Sequence, residues 1–330
     1  MKEVLLLLVM FWNVENFFDP FDQTGMTGDH DFTPRGKNFW TWKKFVKKRD
    51  DLAKVILLSR EEYGVYPAMI GLCEVENWFV LNQLVTQTPL ARIGYKVIHK
   101  DSPDHRGIDV ALLYNPAVVK VLTRRFFPVR TGGDKVGDSI LKSRLILYMK
   151  GIVNGLDTVH CFVNHWPSKL GGEKVSLPNR MFASNMVKMK TDSILAENDK
   201  ANVIVMGDLN DRPDSKPVKN LNRFMNLTNN LLADCKKTGW PLGTHKYKER
   251  WEFIDQFLVS ENLAPGYDSI IGNRFIYCKR ESMCVFAPNY LIDRDEQYLG
   301  TKLRRTLSGP RYLGGVSDHL PVVLKVYGLY

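Results

Sequence analysis

Several features that would take the chain out of the ordinary globular classes are missing. No stretch approaches the roughly 18 apolar residues of a membrane-spanning helix, so no integral membrane segment is expected. No Gly/Ser- or Pro-rich linker, charge block, low-complexity tract or strong repeat divides the 330 residues, which points to one domain over 1–330. Cysteine is sparse and odd in number, five in all. Cys73 and Cys161 sit inside apolar runs, as buried thiols do. Only Cys278 and Cys284 lie close enough in sequence to suggest a bridge, and none falls in a zinc spacing. A reduced protein without a disulfide framework is expected.

The N-terminal run Val4–Phe11 after Lys2 has the basic start and short apolar stretch of a signal peptide. No small-residue cleavage site follows it. It leads straight into Trp12-Asn13-Val14-Glu15-Asn16 and reads as a buried strand of a cytoplasmic protein. A true start upstream, with its own leader, would make the protein an exported one.

The 44 % hydrophobic and 25 % charged residues are ordinary for a soluble domain, which excludes disorder. A formal net charge of +10 favours polyanionic partners such as nucleic acid or other phosphate esters. Apolar runs near 4–13, 68–73, 95–99, 108–114, 118–127, 143–150, 157–164, 202–207, 253–259, 267–272 and 321–327 predict strands. These are too many for one common sheet, so two packed sheets are expected. Helical spacing appears over 41–61 and 179–197, with shorter helices over 77–87 and 215–224. Sheets inside and helices outside make a layered α/β sandwich. The polar stretches 19–38, 131–139, 167–178 and 293–315 read as long loops.

One local pattern recurs: an apolar strand that ends in carboxylates, amides or histidines. It occurs at Asn13–Glu15, Glu74, Asn164–His165, Asp208–Asn210, Asp255 and Ser317–His319. In sheet proteins such ends gather at one rim. Glu74, Asp318, Glu15 and Asn13 offer the oxygen ligands that a hard cation such as Mg²⁺ takes, with Mn²⁺ as an alternative. The lack of a Cys/His ligand set argues against zinc. Asp208 is the candidate base for an attacking water. Asn210, His165 and His319 are donors for phosphoryl oxygens, and Asp255 is the carboxylate to stand behind His319.

These motifs, in this order, resemble those of the endonuclease/exonuclease/phosphatase superfamily. The likeness runs from residue 11 to 327, and GDLN with SDH carries most of its specificity. It implies a four-layer α/β sandwich of two mixed sheets flanked by helices. It further implies a metal on Glu74, with Asn13, Glu15 and Asp318 around it. Asp208 would activate or orient the water, Asn210 would contact phosphate, and His319 with Asp255 would form a dyad. His165 matches a histidine that deoxyribonuclease-like members keep and apurinic endonucleases replace, which tilts the chain away from abasic-site enzymes.

Other residues weigh less. Arg106 is set either to contact phosphate or to pair internally with Asp109. Arg180, placed at the start of the second helix, faces either phosphate or solvent. Trp251 and His245, with the remaining histidines, read as structural. Lys43, Lys44, Lys47, Lys48 and Arg49 form a basic helical face of interest only if it borders the metal site. The expected function is in-line hydrolysis of a phosphodiester, foremost in DNA or RNA. A phosphatase or phospholipase C-like enzyme on inositol phosphates or sphingomyelin is the alternative. A non-catalytic phosphate-binding module is the alternative of another class. No protein partner is implied.

Overall fold

The N-terminal apolar run becomes a strand because both of its faces find a core. Leu8, Met10, Trp12 and Val14 point one way and Leu7, Val9 and Phe11 the other, all buried. The structure, a computed structural model, describes residues 3–23, 28–131, 139–238, 243–264, 276–298 and 300–329. Along the first half run β1 (Glu3–Phe17), α1 (Trp42–Tyr63), β2 (Met69–Val75), α2 (Trp78–Thr86), β3 (Lys96–His99), β4 (Asp109–Tyr114) and β5 (Val119–Phe127). Then come β6 (Ile146–Val153), β7 (Asp157–His165), α3 (Glu173–Glu197), β8 (Asn202–Asp208), α4 (Lys216–Lys219), β9 (Phe224–Asn226) and α5 (Leu227–Thr238). The last part holds β10 (His245–Tyr247), β11 (Arg250–Glu252), β12 (Asp255–Ser260), β13 (Ile276–Tyr277) and β14 (Met283–Val285). It closes with β15 (Ile292–Arg294), β16 (Thr301–Leu303), β17 (Leu307–Ser308), β18 (Arg311–Tyr312) and β19 (Val322–Leu329).

One sheet has the order β13-β19-β1-β2-β4-β3, with β14 also on β19, and the other the order β5-β6-β7-β8-β12-β9. Their inner faces share a core of residues such as Phe11, Cys73, Val110, Cys161, Met206 and Phe257. Gly71 permits this contact, since a Cβ there would lie 2.7 Å from the Met206 methyl. Outside the first sheet, Phe45, Leu52 and Val55 of α1 and Leu81 and Leu84 of α2 cover Met10, Trp12 and Leu72. Outside the second, Ala183, Met186 and Val187 of α3 cover Phe162, Val203 and Val205. The protein is thus the four-layer α/β sandwich expected.

α1 begins where the Thr41 hydroxyl accepts from the Lys44 amide and ends at Gly64 (φ 76°), within two residues of its expected bounds. α3 starts six residues ahead of the reading, at Glu173, and carries Pro178 inside it. Proline normally breaks a helix. Here Ser176 Oγ bonds the Gly172 carbonyl, and the Arg180 guanidinium bonds Ser176 Oγ and the Glu173 carbonyl, which tie down the first turns. Only Lys216–Lys219 of the expected helix 215–224 is helical, and α5 was not foreseen. The expected loop 293–315 holds two hairpins, β15–β16 and β17–β18. The expected strand 267–272 lies outside the described residues. Cys278 and Cys284 are unbridged thiols. No helix among the described residues is long and apolar enough to cross a membrane.

Candidate active site

Strand direction gathers the polar residues. β1 runs parallel to β2, and β7 parallel to β8, so Asn13, Glu74, His165 and Asp208 lie towards their carboxyl ends. β12 runs antiparallel to β8 and β19 antiparallel to β1, so Asp255 opens β12 and Asp318-His319 precede β19 at the same rim. The two sheets meet there in side-chain contacts. Asn13 Nδ2 donates to Asp208 Oδ2 at 3.0 Å, and His319 Nε2 lies 3.9 Å from the same oxygen. Within the second sheet Gly207 lets β8 lie close against β7 just before Asp208, because a Cβ at that position would sit 2.5 Å from the Asn164 carbonyl oxygen.

His319 Nδ1 is 2.8 Å from Asp255 Oδ2, the dyad expected from the sequence. Ser317 Oγ donates to the Asn13 carbonyl and accepts from the His319 amide, which fixes the turn carrying both Asp318 and His319. Burial alone would lower the His319 pKa. The charge and hydrogen bond of Asp255, with Asp208 and Asp318 nearby, outweigh it and hold the imidazole protonated well above its usual range. Burial, reinforced by Asp255, pushes Asp208 up to about 7. His165 Nε2 lies 3.7 Å from Asp208 Oδ2. Burial, with Arg144 and Arg106, holds His165 well below its usual pKa and therefore neutral. Asn210 holds its loop, its amide hydrogen on Asp208 Oδ1 and its side-chain NH₂ on the Trp166 carbonyl.

A second group adjoins these. Glu74 accepts from the Asn16 amide at 3.0 Å, and Arg106 Nη2 reaches Asn16 Oδ1 at 3.0 Å and Glu74 at 3.6 Å. Arg106 therefore faces the rim, while Asp109 is taken by His99 and Ser102. Both Glu15 oxygens accept backbone amides, from Thr306 and Leu307. Arg305 bonds Asp318 at 3.0 Å and lies 3.6 Å from Glu15. Among the described residues, four of the seven non-glycine residues with positive φ are Glu15, Asn16, Glu74 and Asn210. Backbone strain is concentrated where polar side chains must point to one spot.

Three neighbours of the site lie outside its sequence motifs. Lys48 is not on a solvated face: it is 1 % exposed, and its ammonium donates to Thr306 Oγ1 and the Val316 carbonyl. Burial pulls Lys48 down to about 8, and Glu15, Asp318 and Glu74 oppose that fall. Its spacing was the available signal, since position 48 shares the stripe of Phe45, Leu52 and Val55. His245 stacks on His319 with ring centres 4.7 Å apart, and burial lowers it to about 4. Arg305 gave no local signal. Arg180 is placed differently from either sequence alternative: it is fully buried, with Nε on Asp211 Oδ2 at 2.9 Å. It braces the loop after Asn210.

The oxygen donors suit a hard divalent ion. Glu74 and Asp318 are partly open, and each has an oxygen without a hydrogen bond shorter than 3.5 Å, since Glu74 Oε1 and Asp318 Oδ1 meet only longer ion contacts. Burial and the charge of Asp318 push Glu15 up to about 7, the mark of crowded carboxylates that a further cation would relieve. Cys73, His165 and Asp208 also lie within metal-ligating distance of one another. Burial raises the Cys73 thiol well above its usual range, and a protonated thiol is a poor ligand.

No curated protein matches the sequence. Among solved structures, an endonuclease/exonuclease/phosphatase family protein from Bacteroides thetaiotaomicron aligns with TM-score 0.57 at 13 % identity, over 99 % of this chain and 96 % of its own. A mannosyl-6-phosphatase from Bacteroides thetaiotaomicron gives 0.56 at 14 %, over 97 % and 99 %. The human Nocturnin catalytic domain with bound sulfate gives 0.54 at 16 %, over 98 % and 96 %. At these identities the likeness is one of fold. A sequence profile, however, matches residues 8–327, nearly the whole chain, and by that match the protein belongs to the Endonuclease/Exonuclease/phosphatase family.

Proposed function

We propose that the protein is a metal-dependent hydrolase of phosphodiesters, with a nucleic acid strand as its substrate. The observation that carries the diester is a two-sided site. Cavities of about 480 Å³ and 280 Å³ flank the cluster and share Arg305 in their walls. A diester has two arms to seat, whereas a monoester has one. The net charge of +10 favours a polyanionic strand.

Glu74 and Asp318, with Asn13 and Glu15 beside them, would hold Mg²⁺ or Mn²⁺. When bound, the ion supplies Lewis-acid charge to the phosphoryl group. The chain's own residues do the remaining work. Asp208, poised near neutrality, takes a proton from the attacking water, and Asn13 and Asn210 fix the carboxylate that does so. Protonated His319 donates from Nε2 to a phosphoryl oxygen, held by Asp255 at Nδ1. Arg106 and Arg305 neutralise the phosphate arms.

The test is cleavage of plasmid, single-stranded DNA and RNA with Mg²⁺ or Mn²⁺, beside a panel of small esters. Turnover should disappear in Asp208→Ala and Glu74→Ala and weaken with salt, because phosphate contacts release counterions. Activity confined to monoesters would favour a phosphatase instead, the reading that the mannosyl-6-phosphatase neighbour suggests. Near-normal rates in both variants would refute the site.

A further inference from the structure

The larger flanking cavity has a charge pattern that catalysis at Asp208 does not require. It runs outwards from Asp318 and Arg305, between the β10–β11 hairpin and the two hairpins of residues 292–312. Its volume of about 480 Å³ falls within the range of small-ligand pockets. Five cations and three carboxylates line it. Three of the cations are matched one to one. Lys246 pairs with Asp295 at 2.5 Å, Arg304 with Asp293 at 3.5 Å, and Arg305 with Asp318 at 3.0 Å. Among the described residues Lys248 and Lys302 are in excess. Lys302 stands across the β15–β16 pair from Asp293, but the Arg304 guanidinium already holds that carboxylate. Lys248 sits between β10 and β11 with φ 53°, its ammonium 5.6 Å from the centre of the Tyr247 ring. Two surplus ammonium groups in a concave wall that opens onto a phosphate-handling centre attract a further anion.

We infer that this cavity is a subsite for a second phosphate of the substrate, one linkage away from the ester that is cleaved. Lys248 and Lys302 are its specificity-determining residues. The inference rests on the phosphodiesterase reading for the identity of the first phosphate. A second phosphate has two natural sources, the next residue of a nucleic acid strand or another position on a small polyphosphorylated ester.

The experiment is calorimetric binding, to the full chain in Mg²⁺, of ligands that carry no diester bond. Thymidine 3′,5′-bisphosphate is compared with thymidine 5′-monophosphate, and an inositol bisphosphate with an inositol monophosphate. In the wild type at least one bisphosphate should bind roughly tenfold tighter than its monophosphate, the worth of one charge-assisted contact. Preference in the nucleoside pair alone assigns the strand, and preference in the inositol pair alone assigns the small ester. The Lys248→Ala/Lys302→Ala double variant should lose that preference, and the Lys248→Arg/Lys302→Arg variant should keep most of it. Both lysines are exposed, so thermal unfolding of the variants should match the wild type. An unchanged preference in the alanine variant, or none in the wild type, would overturn the inference. Binding is read without turnover, so selective binding by a chain that cleaves no diester would sink the phosphodiesterase reading and leave the subsite standing.

Discussion

Lys48→Met deletes a buried ammonium and keeps an apolar stem of similar length, and its effect on stability should change with pH. Burial pulls Lys48 from 10.5 to about 8 even after Glu15, Asp318 and Glu74 have offset part of that pull, and methionine escapes this disadvantage. Against this, Glu15 loses a counterion, and Thr306 Oγ1 and the Val316 carbonyl lose a donor. Removing one member of a buried charged set costs a net of about 3–5 kcal/mol where its partner is ionised. Near pH 8 that is a Tm drop of about 4–7 °C for a chain of this size. Glu15 supplies the pH dependence. Its folded pKa, already raised from 4.5 to about 7, rises further without Lys48. Stability from a raised acid is complete below its unfolded pKa and is lost as pH climbs through the folded value. Both proteins lose this stability alike until Glu15 ionises in the wild type, so the deficit of the variant should open as pH climbs through about 7. At pH 5 the variant should equal or exceed the wild type, since a neutral Glu15 needs no counterion. Calorimetric Tm values for both proteins across pH 5–8 decide the matter. A deficit that is constant, or that grows in acid, would show that Lys48 is not the counterion of Glu15.

Three further outcomes follow from single contacts. Asp255→Asn should cut kcat on a cleavable diester by roughly 10²–10⁴ and move the alkaline limb of the profile towards acid, because His319 loses the charge that keeps it protonated; an unmoved limb would remove His319 from the donor role. Gly207→Ala should lower stability by about 1–3 kcal/mol in urea titration, since its Cβ meets the Asn164 carbonyl oxygen at 2.5 Å; an unchanged midpoint would mean that β7 and β8 sit further apart. Glu76 is pushed from 4.5 up to about 10 by burial, with Asp19 and Asp29 beside it, so in the fold it is a neutral acid that donates to Asp29. The wild type should lose stability as pH rises from 4.5 upwards, and Glu76→Gln, which keeps both a donor and an acceptor, should be the more stable protein at pH 8 and no better at pH 4.5. A variant weaker at both pH values would mean that Glu76 is ionised.

Much of this protein was legible in one dimension, for specific reasons. The run Leu7–Val14 is apolar on both alternations, so it had to be a central strand, and Thr41 and Gly64 bracket α1 with ordinary capping chemistry. Asp208 ends one buried strand and Asp255 opens another, which leaves each carboxylate only the rim to occupy. The start of α3 is not legible locally, because Pro178 reads as a break while the bonds that rescue the turn come from Arg180, itself held by Asp211 thirty-one residues on. The hairpins over 292–312 escaped because their strands are two or three residues long, too short to show a period.

By itself the sequence determined which polar residues stand at strand ends and on which strands they ride, because hydrophobic period and motif order are local properties of the chain. Only the tertiary structure decided their company. That Asn13 touches Asp208, that Lys48 points inwards to Glu15 and Asp318, and that Arg305 joins two cavities depend on how two sheets stack and which way each strand runs. Contacts of this kind span 304 residues between Ser317 and Asn13, and no local pattern encodes a distance in space.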